Sequence, residues 1–334
     1  MINWINCIKA VCIILVFGVH SFELNGFQIP EFCFYLYGPV YVNAFFFVSG
    51  YLLFRKQLPE PLEDKKLYLS NVLFRLVIPS VLFALIEFLP KRLLRGGTVS
   101  AAALLTETVG GGTYWFISAL VVAELVLFLL MLTRIRNIWF YVVCSIVLAV
   151  TGILIESSGF TVMESDPTFP WKYKQGLVSL LYLAAGGLYR QYEKDLEQPV
   201  WALVLLSLLY VAGACFLTGY IGEFSVYFCN TELSGFVWSI LGIICLVEIC
   251  KRMPEWAQLT FIGRNSILFY MLSGAVPTVI SKLMIPLCGA NAVSLLMVAL
   301  LSIALTFFIV KLIVRYLPFL KDLRTLKRMD RYFR

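Results

Sequence analysis

Two ionisable side chains stand inside the first apolar run of the chain, Lys9 and His20 in WINCIKAVCIILVFGVH. An ionised group at the centre of a membrane span costs about 2.5–3.5 kcal/mol on insertion scales, so each is a candidate functional residue. The two lie 11 positions apart. At about 100° per residue that spacing is three turns plus about 20°, which puts both on one helix face, about 16 Å apart along the axis. Ile13 and Val16 fill the stripe between them. A neutral imidazole near pH 7 can take a proton from a hydroxyl and return it to a leaving group. Glu23, three residues further on, could orient the ring. Plainer readings exist for each: Lys9 can snorkel to the cytoplasmic interface, His20 can be an interfacial polar residue, and Glu23 can be a loop carboxylate.

Other segments carry residues out of place in an apolar chain. NAFFFVSGYL contains Ser49-Gly50, which suits either a close helix contact or the wall of a substrate channel. Arg75 lies four residues before Pro79, too deep to snorkel cheaply, and reads as an ion pair or an anion site. Glu87, Glu124 and Glu248 are the carboxylates that could pair with it. In GGGTYWFISAL the glycines 110–112 read as a flexible turn, and Tyr114 and Trp115 read as an interface belt or a channel wall. Arg264-Asn265-Ser266 opens a late apolar run, where Asn and Ser suit capping and a helix start beside an Arg suits phosphate.

The elements that must position these residues follow from composition. The chain has 334 residues, 60% hydrophobic and only 14% charged. A soluble protein carries about 25% charged residues, so this one lacks the charges for a solvated skin. That excludes a soluble enzyme, a disordered protein and a secreted disulfide scaffold, and leaves an all-α polytopic membrane bundle. The continuous apolar runs lack the alternation of a barrel. About ten runs are long enough to span: 4–22, 32–54, 68–89, 114–132, 137–155, 174–190, 200–219, 232–250, 262–285 and 292–317. They form one membrane domain, 1–318, followed by a basic tail, 319–334.

With the N-terminus inside, the cytoplasmic connections and tail hold 17 Lys and Arg and the outer connections hold 6. That asymmetry predicts both termini in the cytoplasm of a cell-membrane protein. The net charge of +7 then reads as this bias and as attraction to anionic lipid, with no polar basic domain for nucleic acid. One His excludes a multi-His metal site, and none of the nine Cys has zinc spacing, so no metal is expected.

Taken in order, WINCIKAVCIILVFGVH, NAFFFVSGYL, FRLVIP, GGTYWFISAL and IGRNSILFY resemble acyltransferase family 3, in particular its fucose 4-O-acetylase-like group. The resemblance spans residues 4 to about 272. It implies transfer of an acyl group, usually acetyl, from cytoplasmic acyl-CoA as co-substrate to a hydroxyl of a surface polysaccharide or its lipid-linked precursor. It implies catalysis by His20 as general base or acyl carrier, with Glu23 beside it. Acyl-CoA binding would fall to Lys9, Arg75, Arg264, Asn265 and Ser266. Ser49, Gly50, Tyr114, Trp115 and Glu124 would line the substrate channel. The chain departs from the family pattern in Lys9, where many members have Arg, in a single third-span Arg, and in Ser273, where many have His. The competing reading is a polysaccharide-linked exporter without bond chemistry, because buried charges also mark transport paths.

Overall fold

The structure, a computed structural model, describes residues 3–54, 62–95, 99–163, 169–196 and 199–325. Arg55, Lys56 and most of the tail, with Lys327, Arg328, Arg331 and Arg334, lie outside the described residues. The chain divides into two compact units. The first comprises 1–48, 191–225 and 231–311, and the second 49–190, 226–230 and 312–334.

In the first unit, helix α1 (Asn3–Glu23) runs unbroken through both Lys9 and His20. No proline interrupts it, and the chain leaves it through Gly26, whose φ of 66° is left-handed. Helices α2 (Glu31–Tyr41) and α3 (Asn43–Leu53) form the second run and join at a break. The break falls at Val42, and three residues before it Pro39 offers no N–H to the Tyr35 carbonyl. The indole of Trp238 donates to that carbonyl at 3.1 Å, and Tyr210 Oη donates to the next, Leu36, at 2.8 Å. Asn43 Nδ2 in turn donates to the Pro39 carbonyl at 3.0 Å.

The same unit contains α10 (Val200–Phe216), α11 (Leu233–Arg252), α12 (Ala257–Arg264), α13 (Ser266–Leu272), α14 (Ala275–Cys288) and most of α15 (Ala292–Tyr316). The buried Glu248 of α11 is paired with Lys251 at 3.2 Å and Arg252 at 2.6 Å. An unpaired buried carboxylate would be strongly destabilising, and two cations one turn away remove that cost.

In the second unit, the end of α3 is followed by α4 (Leu62–Val72), a π-helical turn (Leu73–Val77) and α5 (Ile78–Arg95). Short α6 (Ala101–Glu107) leads to α7 (Trp115–Met131), α8 (Ile138–Ser157) and α9 (Tyr173–Gln191). The helices pack through glycine. A β-carbon on Gly50 would fall on the Leu183 carbonyl of α9, and one on Gly187 would fall on the Phe54 ring. On α9, Lys174 is buried and pairs with Glu156 at 2.7 Å.

All ten predicted runs are helical. Among the described residues, six helices are long and apolar enough to cross a membrane. The pair α13–α14, bent by 46°, makes a seventh. Helices α7 and α10 are apolar but shorter. The exposed rows Val143, Val147, Val150 and Leu154 on α8 and Leu296, Leu300, Phe308 and Leu312 on α15 are surfaces that only lipid would leave stable. The protein is a polytopic helical membrane protein.

Gly50→Val should lower the thermal midpoint of the purified protein. The side chain meets backbone rather than a movable tip, so the loss should be about 1–3 kcal/mol or more. Ser49→Val, one position away and half-buried, should cost less, and differential scanning fluorimetry reads both.

Candidate functional site

The face of α1 that carries Lys9 and His20 points into the protein. Ile13 and Val16 between them are 0% and 2% exposed, and Lys9 and His20 are half-buried. At about 100° per residue the Cys7, Val11, Ile14 and Gly18 row is diametrically opposite. That row holds Ile14, the exposed residue within the body of the helix.

Two contacts fix α1 against the late segments. Near its start, a β-carbon on Gly263 would fall on the Asn6 carbonyl, so this glycine lets α12 lie directly on α1. Asn6 is one turn before Lys9, and Gly263 immediately precedes Arg264. Near its end, His20 Nδ1 lies 2.9 Å from the Ser273 carbonyl oxygen. Just beyond, Asn25 Nδ2 donates to Ser281 Oγ at 3.0 Å. The order 6 with 263, 20 with 273 and 25 with 281 means that α12 to α14 run parallel to α1.

The Ser273 carbonyl needs a donor because the residue four places on is Pro277, which has no N–H. A carbonyl oxygen only accepts, so Nδ1 carries the proton and the neutral ring keeps its lone pair on Nε2. The expected orienting group, Glu23, is replaced in that role by this backbone carbonyl. Helix α1 does reach Glu23, which is exposed and acts electrostatically on Tyr37 and Tyr41. Sequence reasoning noted Ser273 for its side chain, but its carbonyl does the work.

Arg264 is exposed and borders a surface depression of about 490 Å³ with Glu255, Thr260 and Phe261. Asn265 and Ser266 are buried beside it. The expected capping is not what Asn265 does: its Nδ2 donates back to the Phe261 carbonyl at 2.8 Å. Helix α13 has only seven residues, too short a dipole for the phosphate site expected at its start.

The remaining predicted residues belong to the second unit. Gly50 serves the close contact with α9, and Ser49 beside it is half-buried. The glycines before Tyr114 form a packed cap rather than a flexible turn. Gly110 accepts from the Trp171 amide at 2.8 Å, and Gly111, at φ 77°, accepts from Ser118 Oγ at 2.7 Å. Tyr114 is buried, and the half-buried Trp115 meets the Tyr227 ring edge-on at 5.0 Å. Glu124 accepts through its main-chain carbonyl from Tyr68 Oη at 2.9 Å.

Arg75 departs most from expectation. Its side chain is 61% exposed, and its carboxylate partner among the described residues is Asp322, at 3.4 Å, rather than Glu87, Glu124 or Glu248. It sits in the π-helical turn just before Pro79, a local distortion often found at functional sites. Asp322 belongs to the tail, which reads from the sequence as a basic segment. Arg324 forks onto it with Nε at 2.8 Å and Nη2 at 2.7 Å. Those bonds hold the Asp322 carboxyl below its ordinary value of 3.8 and raise Arg324.

A family model described as an acyltransferase domain matches residues 2–315. The chain belongs to acyltransferase family 3. No curated protein and no solved structure matches it. Membership makes general acyl-transfer activity the expected chemistry of this membrane domain. Among the described residues no cluster of three metal-ligating side chains occurs.

The single His makes the tautomer directly measurable. In ¹⁵N-histidine-labelled protein, Nδ1 should show a protonated shift and Nε2 an unprotonated one near neutral pH. Pro277→Ala, which supplies a competing N–H, should move the pair toward mixed tautomers. A depressed carboxylate stabilises the fold above its ordinary value and loses that contribution only as pH falls through the lowered one. Hydrogen exchange of residues 318–325, corrected for intrinsic rate, should therefore stay flat from pH 8 to 5 and rise throughout that range in Asp322→Asn.

Proposed function

We propose that this protein is a membrane O-acyltransferase. It moves an acyl group, acetyl in the first instance, from cytoplasmic acyl-CoA to a hydroxyl of a surface polysaccharide or its lipid-linked precursor. The motif order supports kinship with the fucose 4-O-acetylase-like group. The observation that carries the reading is the bond from His20 Nδ1 to the Ser273 carbonyl, because it leaves Nε2 as the basic nitrogen.

In the reaction, Nε2 accepts the proton of the acceptor hydroxyl as its oxygen attacks the thioester carbonyl. The tetrahedral oxyanion collapses and expels the CoA thiolate, which takes the proton back from the imidazolium. An ester and a free thiol result, and His20 returns to its starting tautomer. An imidazolium hydrogen-bonded through Nδ1 to a carbonyl is stabilised while it lasts, as a carboxylate would do with more charge. The reaction needs no metal. Lys9, low on the same face, supplies a positive charge for the phosphates of acyl-CoA, and Arg264 at its depression supplies another. Lys9 and His20 stand about 16 Å apart along the helix, comparable to the length of an extended pantetheine arm.

The 17-to-6 charge asymmetry supports cytoplasmic termini and a ten-span arrangement that includes the shorter helices. In that arrangement the first and ninth spans cross in the same direction, which the parallel run of α1 beside α12–α14 requires. Family membership favours transfer over the export reading.

With labelled acetyl-CoA and host glycan, His20→Ala should lose about 10²-fold or more of the transfer rate. Transfer by His20→Ala at the wild-type rate would remove His20 from catalysis. Lys9→Ala should raise the acyl-CoA dissociation constant severalfold, and an unchanged constant would mean that Lys9 only snorkels.

A further inference from the structure

One turn beyond His20, helix α1 ends with Glu23. Residues three apart on a helix are neighbours, so Glu23 adjoins the face that carries Lys9 and His20. Helix α2 packs against α1 within the first unit. Its Tyr37 and Tyr41 lie one turn apart on one face, with ring centroids 5.7 Å apart and the rings edge-on. The negative charge of Glu23 acts on both phenols. A tyrosine that only anchors a protein at the membrane surface sits among headgroups. This pair is instead within electrostatic reach of a carboxylate on the neighbouring helix.

None of the three groups is satisfied within the chain. Among the described residues, the side-chain oxygens of Glu23, Tyr37 and Tyr41 make no hydrogen bond and no ion pair. Glu23 is exposed and the tyrosines are half-buried, and neither phenol oxygen is sealed off from a small ligand. A carboxylate and two phenols that sense one another without bonding leave a gap that hydroxyl groups can bridge. The carboxylate only accepts, and each phenol can donate. That set is complementary to a polyol. Two neighbouring hydroxyls donate to the two oxygens of Glu23, and the phenols donate to further sugar oxygens. The same carboxylate repels an anionic ligand.

We propose that Glu23, Tyr37 and Tyr41 form an acceptor subsite that selects a neutral sugar over an acidic one. Its use in transfer rests on the proposed function above, in which His20 Nε2 takes the proton of the acceptor hydroxyl. Glu23 then holds the acceptor rather than the imidazole. Binding at the subsite makes and breaks no covalent bond.

The test uses the full-length protein in phosphatidylcholine nanodiscs, without acyl-CoA. Saturation-transfer NMR titrations follow the methyl glycosides of glucose, galactose and mannose, each beside its uronate. At least one neutral glycoside should bind, about tenfold more tightly than its uronate. Glu23→Gln keeps the shape and removes the charge, and should shrink that preference to about twofold or less. Tyr37→Phe and Tyr41→Phe keep the rings, and each should weaken the neutral glycoside about threefold to tenfold. The acyl-CoA dissociation constant, measured separately, should stay within about twofold in all three variants.

The proposal is overturned if no neutral glycoside binds, which would leave the three groups to water. It is equally overturned if wild-type protein binds the uronate as tightly, if both phenylalanine variants bind the neutral glycoside unchanged, or if acyl-CoA binding falls in step. Transfer activity is read separately. Wild-type transfer by His20→Ala, with sugar selectivity lost in Glu23→Gln, would overturn the general-base reading and leave the subsite standing. His20-dependent transfer with unchanged glycoside binding in all three variants would remove the subsite alone.

Discussion

In an apolar interior a main-chain carbonyl without a donor costs several kcal/mol, and water is not there to help. Pro39 and Pro277 each create such a carbonyl. Pro39 strands that of Tyr35, and Trp238 supplies the missing proton donor. Pro277 withholds a donor from Ser273, and His20 supplies one. The first case ties α2 to α11. The second ties α1 to the bend between α13 and α14, and it also decides which nitrogen of the single imidazole is basic. A packing requirement of the bundle and the tautomer of the neutral imidazole in the candidate catalytic group are one interaction.

Close backbone approach is the complementary constraint. Apolar side chains gain little from one another in lipid compared with lipid itself, so membrane helices associate through small residues that let backbones touch. Gly263 allows α12 to lie on α1 beside Asn6, and Gly50 allows α3 to lie on α9 beside Leu183. Both glycines stand inside the motifs that mark the family, IGRNSILFY and NAFFFVSGYL. Part of what makes those motifs recognisable is therefore geometry. Two candidate site residues sit beside these glycines: Arg264 follows one, and Ser49 precedes the other.

Among the described residues, the buried charges are paired. Glu248 has Lys251 and Arg252, and Lys174 has Glu156. Arg75 differs because it is exposed, and its partner Asp322 comes from the far end of the chain. The carboxylates that the sequence offers as partners within apolar runs are Glu87, Glu124 and Glu248. The bond to Asp322, across nearly 250 positions, has no local signature beyond an acidic residue in a basic tail.

The sequence alone determined the helical membrane class, the helical runs, the shared face of Lys9 and His20, and the family. These follow from properties local to a segment: hydropathy over a window, the 3.6-residue period, and the order of motifs. The inward direction of that face, the imidazole tautomer, the packing role of Gly50 and the clamp on Arg75 were settled only in the tertiary structure. Each depends on which distant backbone atom comes within about 3 Å, and a linear pattern of residue types does not encode that. Glu23 illustrates the limit: it was the nearest acceptor to His20 in sequence, but the acceptor in space is a carbonyl stranded by a proline some 250 residues away.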